Sequence, residues 1–199
     1  MSMMNEPRNF LFLLASGRVG GNTETLAREA AARLPEGTEQ RWLRLAELPL
    51  APFADIRHAD EGPYRSPDGN ERVLLDATLA ATDVVIATPL YWYSVSSSTK
   101  LYLDHWSNWL RIPGLDFKAR MAAKTLWSVS ALADEDQSVA EPLLGTLRLS
   151  AKYLGARWGG GLLGNGSWPG DVLADGGAME QAQNFFAATG LALTGTRIG

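Results

Sequence analysis

The chain has no cysteine among its 199 residues. Disulfides, thiolate nucleophiles, cysteine-ligated zinc and iron–sulfur clusters are therefore excluded. Histidine is scarce: His58 and His105 are the two present, too few for a histidine-rich metal site, and no metal is expected. There is no surplus of positive charge either. The formal net charge is −4, which gives no reason to expect nucleic acid as a partner. Long apolar runs are also missing, and no stretch approaches a membrane span. The run FLFLLA at 10–15 has six residues and follows Glu6 and Arg8. A secretory h-region is longer and sits behind a basic segment, so this run reads as a buried first strand. A cytoplasmic protein is expected.

What remains has globular composition, 46% hydrophobic and 20% charged, in a length that suits one domain spanning 1–199 with a core of its own. Short apolar runs at 10–15, 41–45, 84–88, 125–131 and 157–163 read as strands, the last diluted by glycine. Helical stripes fall between them. Leu26, Ala27, Ala30, Ala31 and Leu34 form the first, and Val73, Leu74, Ala77, Ala80 and Ala81 the second. Tyr102, Trp106, Trp109 and Leu110 line a third over 97–110. Ala140, Leu143, Leu144, Leu147, Ala151 and Leu154 make a fourth, stopped by Gly155, and Ala182, Phe185, Phe186 and Thr189 mark the last. Five strands alternating with five helices make an α/β protein, a parallel sheet with helices on both faces. In such sheets ligands bind beyond the carboxyl ends of the strands, where strand order reverses. That directs attention to the loops 16–24, 89–97 and 131–138.

The first loop reads ASGRVGGNTE over 15–24. Gly17, Gly20 and Gly21 let the backbone turn tightly and present its N–H groups, and Ser16, Asn22 and Thr23 add side-chain donors. Arg18 supplies a planar cation suited to phosphate oxygens, and the helix dipole favours an anion at the same place. An ATP-binding P-loop would need lysine where Asn22 stands, and GxGxxG is not met. The plainer alternative is that Asn22 or Thr23 merely caps the helix; the arginine favours phosphate.

The second loop is TPLYWYSVSSSTK over 88–100. Pro89 ends the ladder, Leu90 follows, and Tyr91, Trp92 and Tyr93 sit at the sheet's carboxyl edge before Ser94. Three consecutive aromatics do not all point into a core, so at least one flanks a cavity able to cover a planar ligand such as a flavin. An aromatic corner packed under a loop, or a dimer surface, is the alternative.

Together the two loops resemble a family. Ser16, Arg18, Gly21, Asn22 and Thr23, in the order S-x-R-x-x-G-N-T, look like the NAD(P)H-dependent FMN reductase and multimeric flavodoxin superfamily. There this loop holds the FMN phosphate. The stretch T-P-L-Y-W-Y-S-V-S, followed by Lys100 and Asp104, resembles its isoalloxazine cradle, and Pro169, Gly170, Asp171 and Val172 resemble its P-G-D-V. The resemblance implies a flavodoxin-like three-layer sandwich with strand order 2-1-3-4-5. It also implies FMN as cofactor, NADPH or NADH as co-substrate, and a cofactor site of Ser16, Arg18, Gly21, Asn22, Thr23 and Pro89, Leu90, Tyr91, Trp92, Tyr93, Ser94. His105 and Tyr93 depart from the family pattern, and residues 51–70 lack the cysteine cluster of its iron–sulfur members.

No catalytic side chain is expected. Lys100 and Asp104 read as a surface pair one turn apart, Asp134, Glu135 and Asp136 as acids at a helix start, and His58 as solvated. The helix carrying Trp106 and Trp109 looks too aromatic for a solvated face, so a homodimer or homotetramer with that helix near the interface is expected. The leading reading is an NAD(P)H oxidoreductase passing electrons to a small-molecule acceptor such as a quinone or free flavin. An electron-carrier flavodoxin and a flavin-free binding domain are the rivals.

Overall fold

The computed structural model describes residues 8–56 and 64–187. Its centre is a five-stranded sheet in the order β2-β1-β3-β4-β5, parallel at every pairing. The strands are β1 (Asn9–Leu14), β2 (Glu39–Arg44), β3 (Asp83–Ala87), β4 (Thr125–Leu132) and β5 (Arg157–Asn165). β3 and β4 are buried at every residue, and β1 at all but its first. Helices cover both faces, which is why these strands read as unbroken apolar runs rather than alternating ones. Edge strand β2 is exposed over its first half.

The side-chain period of two divides the core. Phe10, Phe12, Leu14, Val85, Trp127 and Val129 face α1 (Asn22–Ala31) and α6 (Gly176–Ala182). Leu11, Leu13, Val84, Ile86 and Leu126 face α2 (Gly69–Ala80), α3 (Ser97–Trp109), α4 (Phe117–Ala122) and α5 (Glu141–Leu154). α1 ends three residues sooner than its stripe suggests. Leu34 precedes Pro35, and a residue before proline is pushed out of the helical region.

Helix α4 has no counterpart in the sequence reading, and it settles the aromatic face of α3. Its Phe117 packs against Trp106 and Trp109, with ring centroids 6.0 and 5.5 Å apart, while Tyr102 meets both tryptophans edge-on. All four are buried within the chain itself. The aromatic stripe therefore belongs to the core, and the argument that a second copy must cover it falls. The last stripe is also shorter than expected: α6 stops at Ala182, Phe185 and Phe186 lie in a 3-10 turn, and Thr189 lies outside the described residues.

The glycines of β5 are places of close approach. A Cβ at Gly159 would lie 2.3 Å from the Trp127 indole, and one at Gly161 2.4 Å from Leu144. At the sheet's amino end, Lys124 is buried and donates to the carbonyls of Leu79 (2.8 Å) and Ala81. It thereby satisfies acceptors that the end of α2 leaves open. Burial holds its pKa below the usual lysine value, and nearby Arg120 adds to the effect. Among the described residues no helix is long and apolar enough to cross a membrane, and no cluster of three or more His, Asp or Glu could hold a metal.

Candidate functional site

The loops after β1, β3, β4 and β5 meet at the carboxyl end of the sheet. Backbone bonds tie them at their bases: Ala15 N–H to the Ala87 carbonyl at 2.9 Å, and Leu90 N–H to that of Ala131 at 3.4 Å. The Ser98 hydroxyl donates to the Ala15 carbonyl at 3.1 Å, and Thr23 Oγ1 accepts the Ala131 N–H at 3.2 Å. The structure thus brings both predicted loops to one edge, with 131–138 beside them.

In the first loop Ser16 Oγ accepts the Arg18 N–H at 3.1 Å, and Gly20 turns the chain at φ 64°. Helix α1 then starts from an extended Gly21 with no side-chain cap, so neither Asn22 nor Thr23 serves as one. The first turn of α1 presents N–H groups that have no acceptor within the helix. Arg18 is exposed, and its methylene stem lies over Gly21, where a Cβ would come within 3.6 Å of Arg18 Cδ. The amide of Asn22 is engaged elsewhere: Nδ2 donates to the Trp168 carbonyl at 2.8 Å, and Oδ1 accepts the Gly170 N–H at 2.9 Å. Asn22 therefore offers a ligand its backbone, with its side chain fastening the 166–172 turn to this loop. Asp171 shapes that turn from within, accepting the N–H groups of Ser167 and Trp168 at 3.1 and 2.7 Å.

Three further residues support this loop and escaped the sequence reading. Glu24, 5% exposed, accepts the Gly20 N–H at 2.9 Å and Arg44 Nη2 at 2.8 Å on Oε2; on Oε1 it accepts Arg28 Nε and Nη2 at 3.0 and 2.7 Å. Burial alone would raise its pKa, but the hydrogen bonds from Arg44, Gly20 and Arg28 outweigh it and hold the carboxyl at about 2. The Glu24–Arg28 spacing of four was a legible signal. Arg44, at the end of β2, had none.

The second loop closes as a tight turn. Tyr91 N–H donates to the Ser94 carbonyl at 3.1 Å, and Ser94 N–H to that of Tyr91 at 3.0 Å. Trp92 and Tyr93 between them take left-handed φ values of 48° and 62°, the geometry of a type I′ turn. Pro89 is buried at its base, and Trp92 at the tip is 93% exposed, flanked by exposed Tyr91, Tyr93 and Ser94. The loop returns through Ser96, which caps α3 by accepting the Thr99 N–H at 3.3 Å and donates its own N–H to Thr88 Oγ1 at 2.9 Å.

Lys100, Asp104, Asp136 and His105 have structural partners. Lys100 and Asp104 form an exposed pair at 2.5 Å. Asp136 accepts the Ser138 N–H at the start of a 3-10 turn, and the Ser138 hydrogen bonds lower its pKa. His105 is buried between the Ala51 carbonyl and Glu71 Oε1, each 3.0 Å from a ring nitrogen. His58 lies outside the described residues.

Comparison with known proteins identifies the family and the fold. Residues 9–156 match the family model described as NADPH-dependent FMN reductase. A Bacillus subtilis (strain 168) protein, provisionally named NAD(P)H-dependent FMN-containing oxidoreductase YwqN, is 32% identical over 166 residues, which span 83% of this chain and 89% of that protein. The solved Trp repressor binding protein from Bacillus subtilis superposes with a TM-score of 0.72 at 25% identity, over 91% of this chain and 99% of that one. An FMN-dependent NADH-azoreductase from Bacillus anthracis, solved with FMN, shares the fold at a TM-score of 0.59 and 13% identity, over 89% and 96% of the two chains. The sheet order is the flavodoxin-like one, and the chain belongs to the NADPH-dependent FMN reductase family.

Proposed function

We propose that this NAD(P)H-dependent FMN oxidoreductase delivers electrons to a small planar acceptor, such as a quinone or free flavin. The supporting observation is the tip of the second loop. Tyr91, Trp92 and Tyr93 stand exposed there, and no charged side chain occurs from Pro89 to Thr99. A carrier that docks on other proteins relies on complementary surface charge; a neutral aromatic rim suits a small ring instead.

FMN, when bound, supplies the hydride-accepting centre and makes a nucleophile–base pair on the protein unnecessary. The donor set of the first loop fits a phosphate ester. Ser16, the backbone of Gly21, Asn22 and Thr23, and the Arg18 guanidinium would hold it at the start of α1. Pro89, Leu90, Tyr91, Trp92, Tyr93 and Ser94 would flank the ring. Their part is to orient the cofactor and leave one face open to co-substrate and acceptor in turn.

That alternation requires ping-pong kinetics. With FMN-loaded protein, varying NADPH or NADH against a quinone should give parallel double-reciprocal lines. Reduction slower than about once per minute with both nucleotides, against turnover near 10 per second for ordinary enzymes, would leave the electron-carrier reading standing. Assembly as a homodimer or homotetramer belongs to the same proposal, and exposed Leu149 and Tyr153 on α5 are candidates for the contact. Sedimentation at micromolar concentration tests it. A cytoplasmic setting completes the reading, consistent with reliance on NAD(P)H.

A further inference from the structure

We propose that Glu24 is a positioning residue for the phosphate-holding loop, acting through its hydrogen bond to the Gly20 N–H. A buried carboxylate is at first sight misplaced here. An acid in the first turn of a helix is favoured when no anion is bound, but beside a phosphate dianion it repels. Two features remove that objection. The carboxylate is turned away from solvent, with its side chain 6% exposed, and two guanidiniums face it, Arg28 from α1 and Arg44 from β2. Glu47 also lies 3.5 Å from Arg44 Nε, so two carboxylates face two guanidiniums and the buried acid brings no net negative charge to the loop.

The bond to Gly20 gives Glu24 its purpose. In an ordinary capping box the acid three residues into a helix takes the N–H of the cap. Here the cap is Gly21 and Glu24 stands at that third position, yet it reaches one residue further back, to Gly20. Gly20 is the left-handed residue that reverses the loop. Fixing it sets the direction of the chain through Gly21 and of the N–H groups behind it. The carboxylate is fixed in turn. Arg44 is largely buried and its Nη1 has no hydrogen-bond partner among the described residues; Glu24 at 2.8 Å is its nearer carboxylate, with exposed Glu47 at 3.5 Å. Electrostatic preorganisation of this kind lowers the ordering needed when a ligand arrives.

This inference rests on the reading that the loop holds the FMN phosphate, so the test carries a readout that does not involve FMN. Apoprotein is titrated with FMN and with riboflavin, and exchange of the Gly20 amide is followed by NMR. Glu24→Ala should weaken FMN by about tenfold or more, the scale of one charge-assisted contact, and riboflavin much less. It should also speed exchange at Gly20. Glu24→Gln, which keeps an acceptor oxygen but no charge, should restore most of the FMN affinity and the Gly20 protection. Equal weakening of both ligands by Glu24→Ala would overturn the proposal, as would a Glu24→Gln variant no better than alanine. Should the alanine variant fail to fold, Glu24→Asp keeps the charge and falls one methylene short of Gly20; unchanged FMN affinity and Gly20 exchange there would overturn it equally. If the wild type binds FMN no more tightly than riboflavin, the phosphate reading fails, while loss of Gly20 protection in the variants still supports the role of Glu24.

Discussion

Asn22 Oδ1 accepts the Gly170 N–H at 2.9 Å, joining the loops after β1 and β5 across 148 residues of sequence. Nδ2 completes the clasp on the Trp168 carbonyl, and Gly166 lets the amide in, since a Cβ there would lie 2.6 Å from Nδ2. Asn22→Ala removes two hydrogen bonds whose partners water can reach, so urea denaturation should show a loss of about 0.5–1.5 kcal/mol. Asn22→Asp retains the acceptor and should lose less.

Arg18 tests the phosphate assignment directly. If its guanidinium pairs with the FMN phosphate, Arg18→Ala removes one charge-assisted contact of about 1.5–3 kcal/mol, a tenfold to hundredfold loss of FMN affinity. Riboflavin should be nearly indifferent. Equal weakening of both in a fluorescence titration would reject the pairing.

Acid should undo the Glu24 cluster. The folded carboxyl titrates at about 2, below its ordinary 4.5, so its contribution is fully present above about pH 4.5 and drains away as pH falls toward 2. The shift corresponds to something on the order of 3 kcal/mol. Asp175 shifts in the same direction, held down by N–H groups of Ala178 and Asn165. Between pH 5 and about 2.5, wild-type stability measured by urea denaturation should fall more steeply than that of Glu24→Gln. Parallel curves would contradict the cluster's role.

The turn at 91–94 holds two large aromatics where glycine and asparagine are at ease. Replacing Trp92 with Asn and Tyr93 with Gly should relieve left-handed strain of about 1–2 kcal/mol per residue and raise the melting temperature. Adding FMN to apoprotein should quench tryptophan emission, and Trp92→Phe alone should reduce that quench. An undiminished quench would place the flavin against a different tryptophan.

The three central strands were legible because burial on both faces leaves an unbroken apolar run. β2 was fainter, since half of it meets solvent. α4 was invisible: six residues behind a left-handed Asp116 are too few to display a helical period. Missing it made Trp106 and Trp109 look like an interface, when Phe117 was waiting to cover them. At the site, glycines and an arginine announced the first loop, and three aromatics after Pro89 announced the second. The left-handed pair at Trp92 and Tyr93 ran against every local preference of those residues. The clasp from Asn22 and the link from Glu24 to Arg44 depend on partners 20 to 148 residues away, and no local pattern records a contact of that range.

The buried amine of Lys124 gives the molecule an internal gauge. Of the four lysines in the chain, Lys100, Lys118 and Lys152 are exposed and Lys124 is not. An amine-selective reagent has open access to the first three. It can reach Lys124 only when the end of α2 lets go of it, an opening that exposes the core between α2 and the sheet. The ratio of label at Lys124 to label at Lys118, read by peptide mass, therefore counts opening events in the native protein without denaturant, dye or engineered probe.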